Sequence, residues 1–166
     1  MARAMRQLSV LITSLNGKSA GMKIKDLLKI KGWAVTTIGP NETVQAAIQK
    51  LVENDIGALP VCDAKGAILG IVSERDLLKE CSQRSSVIGS TKVKDVMTKD
   101  VAIGLPEDDL DYVMSIMTQK RIRHLPIMVG PKLGGMISMR DIIESQLEES
   151  KAQVRLLNDY ISGGYI

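Results

Sequence analysis

At 166 residues, with 45% apolar and 25% charged side chains, the chain can bury one shared core or two small ones. Phe is absent and Trp occurs once, so the core must be aliphatic with help from nine Met, and the few aromatics (Trp33, Tyr112, Tyr160, Tyr165) give base stacking little to work with. The net charge of +3 sits in an acid-free leader bearing Arg3, Arg6 and Lys18; the remaining 19 basic residues balance 19 acidic ones, which argues against a nucleic-acid surface, and no apolar run is long enough to span a bilayer.

In chain order, residues 1–22 come first, rich in Arg, Lys, Ser and Leu. This is the character of an organelle transit peptide, and it points to the mitochondrion. A cytoplasmic protein with a frayed N-terminal helix, or a plastid destination, is the alternative.

Beyond the leader the chain repeats itself. Lys23-Ile-Lys-Asp-Leu-Leu28 returns as Lys92-Val-Lys-Asp-Val-Met97, and Asn41-Glu-Thr-Val44 answers to Glu107-Asp-Asp-Leu110. Ala58-Leu-Pro-Val61 returns as His124-Leu-Pro-Ile127, and Gly70-Ile-Val-Ser-Glu-Arg-Asp-Leu77 as Gly135-Met-Ile-Ser-Met-Arg-Asp-Ile142. Each copy reads as strand, helix, strand, hairpin, strand, helix. Val44, Ala47, Ile48 and Leu51 share one helix face, matched by Leu110, Val113, Met114 and Met117. Ala58–Cys62 and Ala67–Val72 read as strands joined by the turn Asp63-Ala-Lys-Gly66, and Gly130-Pro131-Lys132 makes the corresponding turn. A polar connector covers residues 80–91, and a closing helix over 144–161 carries Leu147, Val154, Leu157 and Ile161 before Gly163-Gly164 stops it. The division is therefore a leader (1–22), two repeats (23–87 and 88–145) and a C-terminal helix with tail (146–166). The two repeats are expected to pack face to face, since neither can bury much core alone.

Two cysteines, Cys62 and Cys81, and one histidine, His124, are too few for a structural zinc site, and no nucleophile–base pair or catalytic cofactor suggests itself. Both thiols are expected to be free. The repeated Ser-x-x-Asp is more informative. Ser73 and Asp76, like Ser138 and Asp141, fall at the N-cap and N3 positions of a helix. They form a capping box on one reading. On the other, helix N–H groups face a phosphate while the Asp accepts from ribose hydroxyls. Arg75 and Arg140 lie beside those Asp residues, and Arg123-His124 opens the second Leu-Pro strand; all can meet phosphate oxygens or sit in solvent.

A duplicated β-α-β-β-α unit of about 60 residues, with Gly-Ile-Val-Ser-x-Arg-Asp before its last helix, resembles the CBS domain, named after cystathionine β-synthase. The resemblance covers about residues 23–145, and the tail Arg155-Leu-Leu-Asn-Asp-Tyr-Ile-Ser-Gly-Gly-Tyr165 and the connector Gln83-Arg-Ser-Ser86 look like stand-alone two-CBS proteins of bacteria and plant organelles. The resemblance implies an α/β (α+β) fold in which two repeats form a pseudo-two-fold pair, a Bateman module, with adenine-nucleotide clefts between them. It assigns ribose to Asp76 and Asp141 and lays adenine against Thr37, Ile38, Ala58, Leu59 and Pro60, residues that core packing explains as well. AMP is the first choice of ligand, followed by ADP, ATP and NAD(H). Thr37 has Ile103 as its counterpart, so the Asp76 site is expected to be the more complete. The resemblance further implies a homodimer stacked through helices, a regulated partner protein (thioredoxin-type by family analogy), and no catalysis. The alternative is a dimerising interaction module with vestigial clefts.

Overall fold

A computed structural model describes residues 21–84 and 89–162. Nearly all of the leader, residues 85–88 of the connector and the tail after Ser162 lie outside the described residues. Helix α1 spans Ile24–Lys31, α2 Val44–Asn54, strand β1 Ala58–Cys62, β2 Ile68–Ser73 and α3 Glu74–Arg84. The second half follows with α4 (Val93–Val96), α5 (Leu110–Gln119), β3 (His124–Val129), β4 (Lys132–Ser138) and α6 (Met139–Ile161). No helix among the described residues is long and apolar enough to cross a membrane.

Local chemistry sets these elements. In α2, Val44, Ala47 and Leu51 are buried at helical spacing; Thr43 caps the start by accepting from the Ala46 amide at 3.1 Å, and Asp55 ends it at φ 50°. Helix α5 buries Leu110, Val113 and Met117 and closes on Arg121 at φ 54°, the position equivalent to Asp55. The hairpins β1–β2 and β3–β4 are antiparallel and carry a bulge at the same place, Val61/Cys62 and Ile127/Met128. Gly66 (φ 81°) and Gly130 (φ 61°) supply the left-handed turn residues.

Two expectations change. The opening strand of each copy shrinks to one parallel bridge, Ile38 to Val61 and Gly104 to Ile127. Pro40 and Pro106 follow so closely that the ladder cannot continue. The closing helix is not separate, because α6 runs unbroken from the second capping box for 23 residues.

The main departure from a simple pair lies in the cores. Ile24, Leu27 and Leu28 of α1 are buried with Leu110, Val113, Met117, Leu125, Ile127, Ile137 and Ile142, all from the second repeat. Val93 of α4 is buried with Ile38, Val44, Leu51, Leu59, Val61, Val72 and Leu77 of the first, and Val96 and Met97 pack against the same cluster. Each repeat lends its leading helix to the other. Backbone bonds fix both exchanges: Ile24 donates to the Asp108 carbonyl (3.0 Å) and Leu110 to that of Met22 (3.0 Å), while Val44 donates to Thr91 and Val93 to Glu42 (both 2.9 Å). The repeated glycines seat these helices. A Cβ on Gly135 would stand 2.8 Å from Leu28 Cδ1, and one on Gly70 would stand 2.6 Å from Met97 Sδ.

Candidate functional site

The segments that follow α1 and α4 cross from one repeat to the other, and a cleft opens beside each crossing. The wide cleft, about 1020 Å³, brings Ser138, Arg140 and Asp141 together with Arg123, His124, Ala58, Lys31 and Thr36. The narrow one, about 190 Å³, brings Ser73, Arg75 and Asp76 together with Ala58, Arg121, Arg123, His124 and Ala102. The two differ because the crossing segments are held differently. Thr98 exchanges two 2.9 Å backbone bonds with Ile71 of β2, which draws the narrow cleft shut. At the equivalent Met136 the carbonyl accepts instead from Lys31 Nζ at 3.2 Å, and the crossing segment stands off.

Both Ser-x-x-Asp motifs are capping boxes. Ser138 N and Oγ donate to Asp141 Oδ2 at 2.6 and 2.7 Å, and the Asp141 amide donates back to Ser138 Oγ at 3.3 Å. Ser73 and Asp76 repeat this at 2.9, 2.7 and 3.4 Å. Capping engages only Oδ2 of each carboxylate. Oδ1, with two lone pairs, accepts from none of the described residues, so capping and ligand binding do not compete for one atom.

The carboxylates have different company. Lys31 Nζ donates to Asp141 Oδ2 at 2.5 Å across a sequence separation of 110. Burial raises the Asp141 pKa, but the hydrogen bonds from Lys31 and Ser138 outweigh it, and the group lies below the ordinary carboxylate value. Asp76 forms no ion pair with any described residue, and its cleft is lined by the acidic Asp100 as well as Arg75, Arg121 and Arg123. Arg75, Arg123 and Arg140 are exposed and form no ion pair with any described residue, leaving their guanidinium forks open to an anion.

His124 and Ala58 open β3 and β1 and line both clefts, forming the wall between them. Burial, then the Arg123 and Lys31 charges, hold the His124 pKa below its ordinary value. The absence of Arg-His from the first copy has a steric cause. A Cβ on Gly57 would lie 2.9 Å from His124 Cε1, so a small residue in one repeat makes room for the imidazole of the other. Gly57→Ala is therefore expected to destabilise the fold by about 1–3 kcal/mol through overpacking. Truncating the ring in Gly57→Ala/His124→Ala should recover most of that loss in a denaturant double-mutant cycle. Additive losses would remove the contact from the account.

Of the residues expected to bind nucleotide, Ser73, Arg75, Asp76, Ala58, Arg123, His124, Ser138, Arg140 and Asp141 line the clefts. Thr37, Ile38, Leu59 and Pro60 line neither. Ile38 and Leu59 are core side chains, 2% and 0% exposed, Pro60 is buried, and the Thr37 carbonyl accepts from Lys50. Thr37 was expected to complete the Asp76 site, which it does not line, and the sequence reading missed Thr36, which lines the wide cleft with Asp141. A one-residue change of phase in an extended segment moves a side chain to the opposite face. It also missed Lys31, because nothing in the chain pairs the end of α1 with β4. The hydroxyl thus belongs to the Asp141 cleft, and Ala102 stands at the equivalent place in the Asp76 cleft. Both cysteines are free.

A CBS domain match spans residues 24–83 and again 93–148. The chain is 32% identical over 154 residues to the mitochondrial CBS domain-containing protein CBSX3 of Arabidopsis thaliana, covering 86% of this chain and 73% of that protein. It is 31% identical over 125 residues to the CBS domain-containing protein YhcV of Bacillus subtilis, covering 75% and 87%. Among solved structures, the CBS-domain containing protein ATU1752 from Agrobacterium tumefaciens superposes with a TM-score of 0.73 at 37% identity, over 75% of this chain and 99% of that one. The CBS domain pair of protein MJ0100, solved with 5′-methylthioadenosine and S-adenosyl-L-methionine, shares the fold at TM-score 0.65 and 22% identity, over 78% and 98%. Two α+β units, each with one antiparallel hairpin and a Ser-x-x-Asp helix start, thus agree with the sequence matches: the chain belongs to the CBS-domain family and carries two copies of that domain in tandem.

Proposed function

We propose that the chain is a non-catalytic regulatory module that takes an adenine nucleotide, AMP before ADP, ATP or NAD(H), in the wide cleft between its repeats and so modulates a partner protein. The observation that carries this reading is the Asp141 carboxylate. One oxygen is held by Ser138 and Lys31, the other accepts from none of the described residues, and Asp141 lines the wide cleft together with Arg123 and Arg140. Ribose hydroxyls donate to Oδ1, phosphate meets the guanidinium groups, and adenine lies against Ala34, Val35 and Ile56. The adenosine ligands of the MJ0100 domain pair support the same ligand class.

Regulation follows by population shift, since a ligand touching both repeats favours the arrangement it bridges. A coupling of roughly 1–3 kcal/mol to a partner surface is enough. The likeness to a mitochondrial plant protein supports an organelle as the place of action.

A panel of AMP, ADP, ATP and NAD(H) in a thermal melt tests this reading. A ligand at a hundredfold excess over its Kd adds about 2.7 kcal/mol, a rise in Tm of several degrees. If every nucleotide leaves Tm unmoved, the clefts are vestigial and the chain is an interaction module. The small volume of the Asp76 cleft favours that outcome for that cleft alone.

A further inference from the structure

His124 is the single histidine of the chain, and Ala58 holds the equivalent place in the first repeat, so each chain carries one imidazole at the wall its two clefts share. The ring is half-buried, and its nitrogens make no hydrogen bond or ion pair with any described residue. Packing holds it instead. Gly57 lies so close that an added Cβ would stand 2.9 Å from Cε1 and 3.1 Å from Nε2. A neutral imidazole fixed by shape keeps one donor and one acceptor free for whatever enters the cleft.

Its charge state is set by the groups around it. In the wide cleft these are Lys31 of α1, Glu74 of α3 and Asp141 of α6, with Arg123 adjoining in the chain. In the narrow cleft Arg75 and Asp76 of α3, Asp100 and Arg121 share the wall. Asp76 and Asp141 are each engaged by a capping box, and Asp141 by Lys31 as well. Burial, with Arg123 and Lys31 next, keeps the ring neutral against the pull of Glu74 and Asp141. A phosphate reverses that balance, because it brings a charge of about −1.5 to −2 at pH 7 to the same wall.

We propose that His124 takes up a proton when the phosphate of the nucleotide enters the wide cleft, so that occupancy of the module responds to pH as well as to nucleotide. This rests on the nucleotide-binding reading of that cleft. Solvent supplies the proton, a ring nitrogen holds it, and the imidazolium gains a second N–H donor for the phosphate oxygens. The bound protein then has the higher imidazole midpoint. Binding tightens as pH falls through that midpoint, and the gain is complete below the midpoint of the free protein. A rise of one pH unit corresponds to about tenfold in affinity across the window. The second ionisation of AMP, near pH 6, works in the opposite direction, so the ring itself is the better readout.

A single histidine gives one set of imidazole C–H resonances, and their pH titration by NMR in the full-length wild type tests the proposal, first free and then saturated with AMP or adenosine. With AMP the midpoint should rise by about one pH unit or more. With adenosine, which has base and ribose but no phosphate, it should stay at the free value. Calorimetry of AMP binding at pH 6.5 in buffers of different ionisation enthalpy should also show more proton uptake by the wild type than by His124→Gln, the excess never passing one proton per chain. Bound AMP that leaves the midpoint unmoved overturns the proton step while the nucleotide reading stands. Adenosine that moves it equally, or equal uptake by the two proteins, does the same. AMP that neither produces heat nor perturbs any resonance overturns both.

Discussion

Asp141→Ala is expected to weaken AMP binding roughly 30- to 150-fold, a loss of about 2–3 kcal/mol, while Asp76→Ala leaves the tighter site nearly unchanged. The first substitution removes the ribose acceptor from the cleft of about 1020 Å³, and the second acts in one of about 190 Å³, below the size of ordinary ligand pockets. Helix capping alone makes a different forecast. Both variants lose a capping box, so both should lose about 1 kcal/mol of stability with binding unaffected. Calorimetric titration beside denaturant melts separates the two. Equal affinity in wild type and Asp141→Ala would leave the motif as a cap, and a large loss at Asp76 would move the site to the other cleft.

Dividing the chain at the repeat boundary is expected to leave neither half folded. Residues 88–166 lack Ile24, Leu27 and Leu28, which are 0%, 5% and 0% exposed in the second core. Emptying one large aliphatic position typically costs about 2–5 kcal/mol, and three together are comparable to the whole margin of most domains, about 5–15 kcal/mol. Supplying residues 22–32 as a separate peptide should restore a cooperative melt to the fragment. In the intact chain, removing residues 1–20 should leave Tm unchanged, since the described core begins at Met22, whereas removing 1–31 should abolish the transition. A fragment 88–166 that melts cooperatively alone would refute the exchange.

The repeat was legible in the sequence, and with it α2, α5, both hairpins and the two helix starts, because periodicity and turn chemistry are local. The exchange of α1 and α4 was not. Lys23–Leu28 and Lys92–Met97 carry the same pattern, so each suits its own core as well as the other, and only the crossing of residues 32–36 and 98–102 decides between them. The same crossing misled the reading of the site. Thr37 has the right chemistry, but the phase of a segment with one bridge residue cannot be read from alternation, and Thr36 is the one that lines the cleft. The cap and ribose readings of Asp76 and Asp141 could not be separated by sequence either, because a carboxylate has two oxygens and the cap engages only Oδ2.

The lent helices also impose an order on synthesis. As the chain leaves the ribosome, the first hairpin and α2 must wait for Val93–Met97 before their core closes. Helix α1 lacks the last of its apolar neighbours until Ile142 has emerged, and Lys31 meets Asp141 only near the end. Late contacts of this kind slow folding and expose unfinished apolar surface to aggregation. A chain with one such repeat could close its core only by trading helices with a second molecule, and placing both copies on one polypeptide turns that concentration-dependent encounter into an intramolecular one.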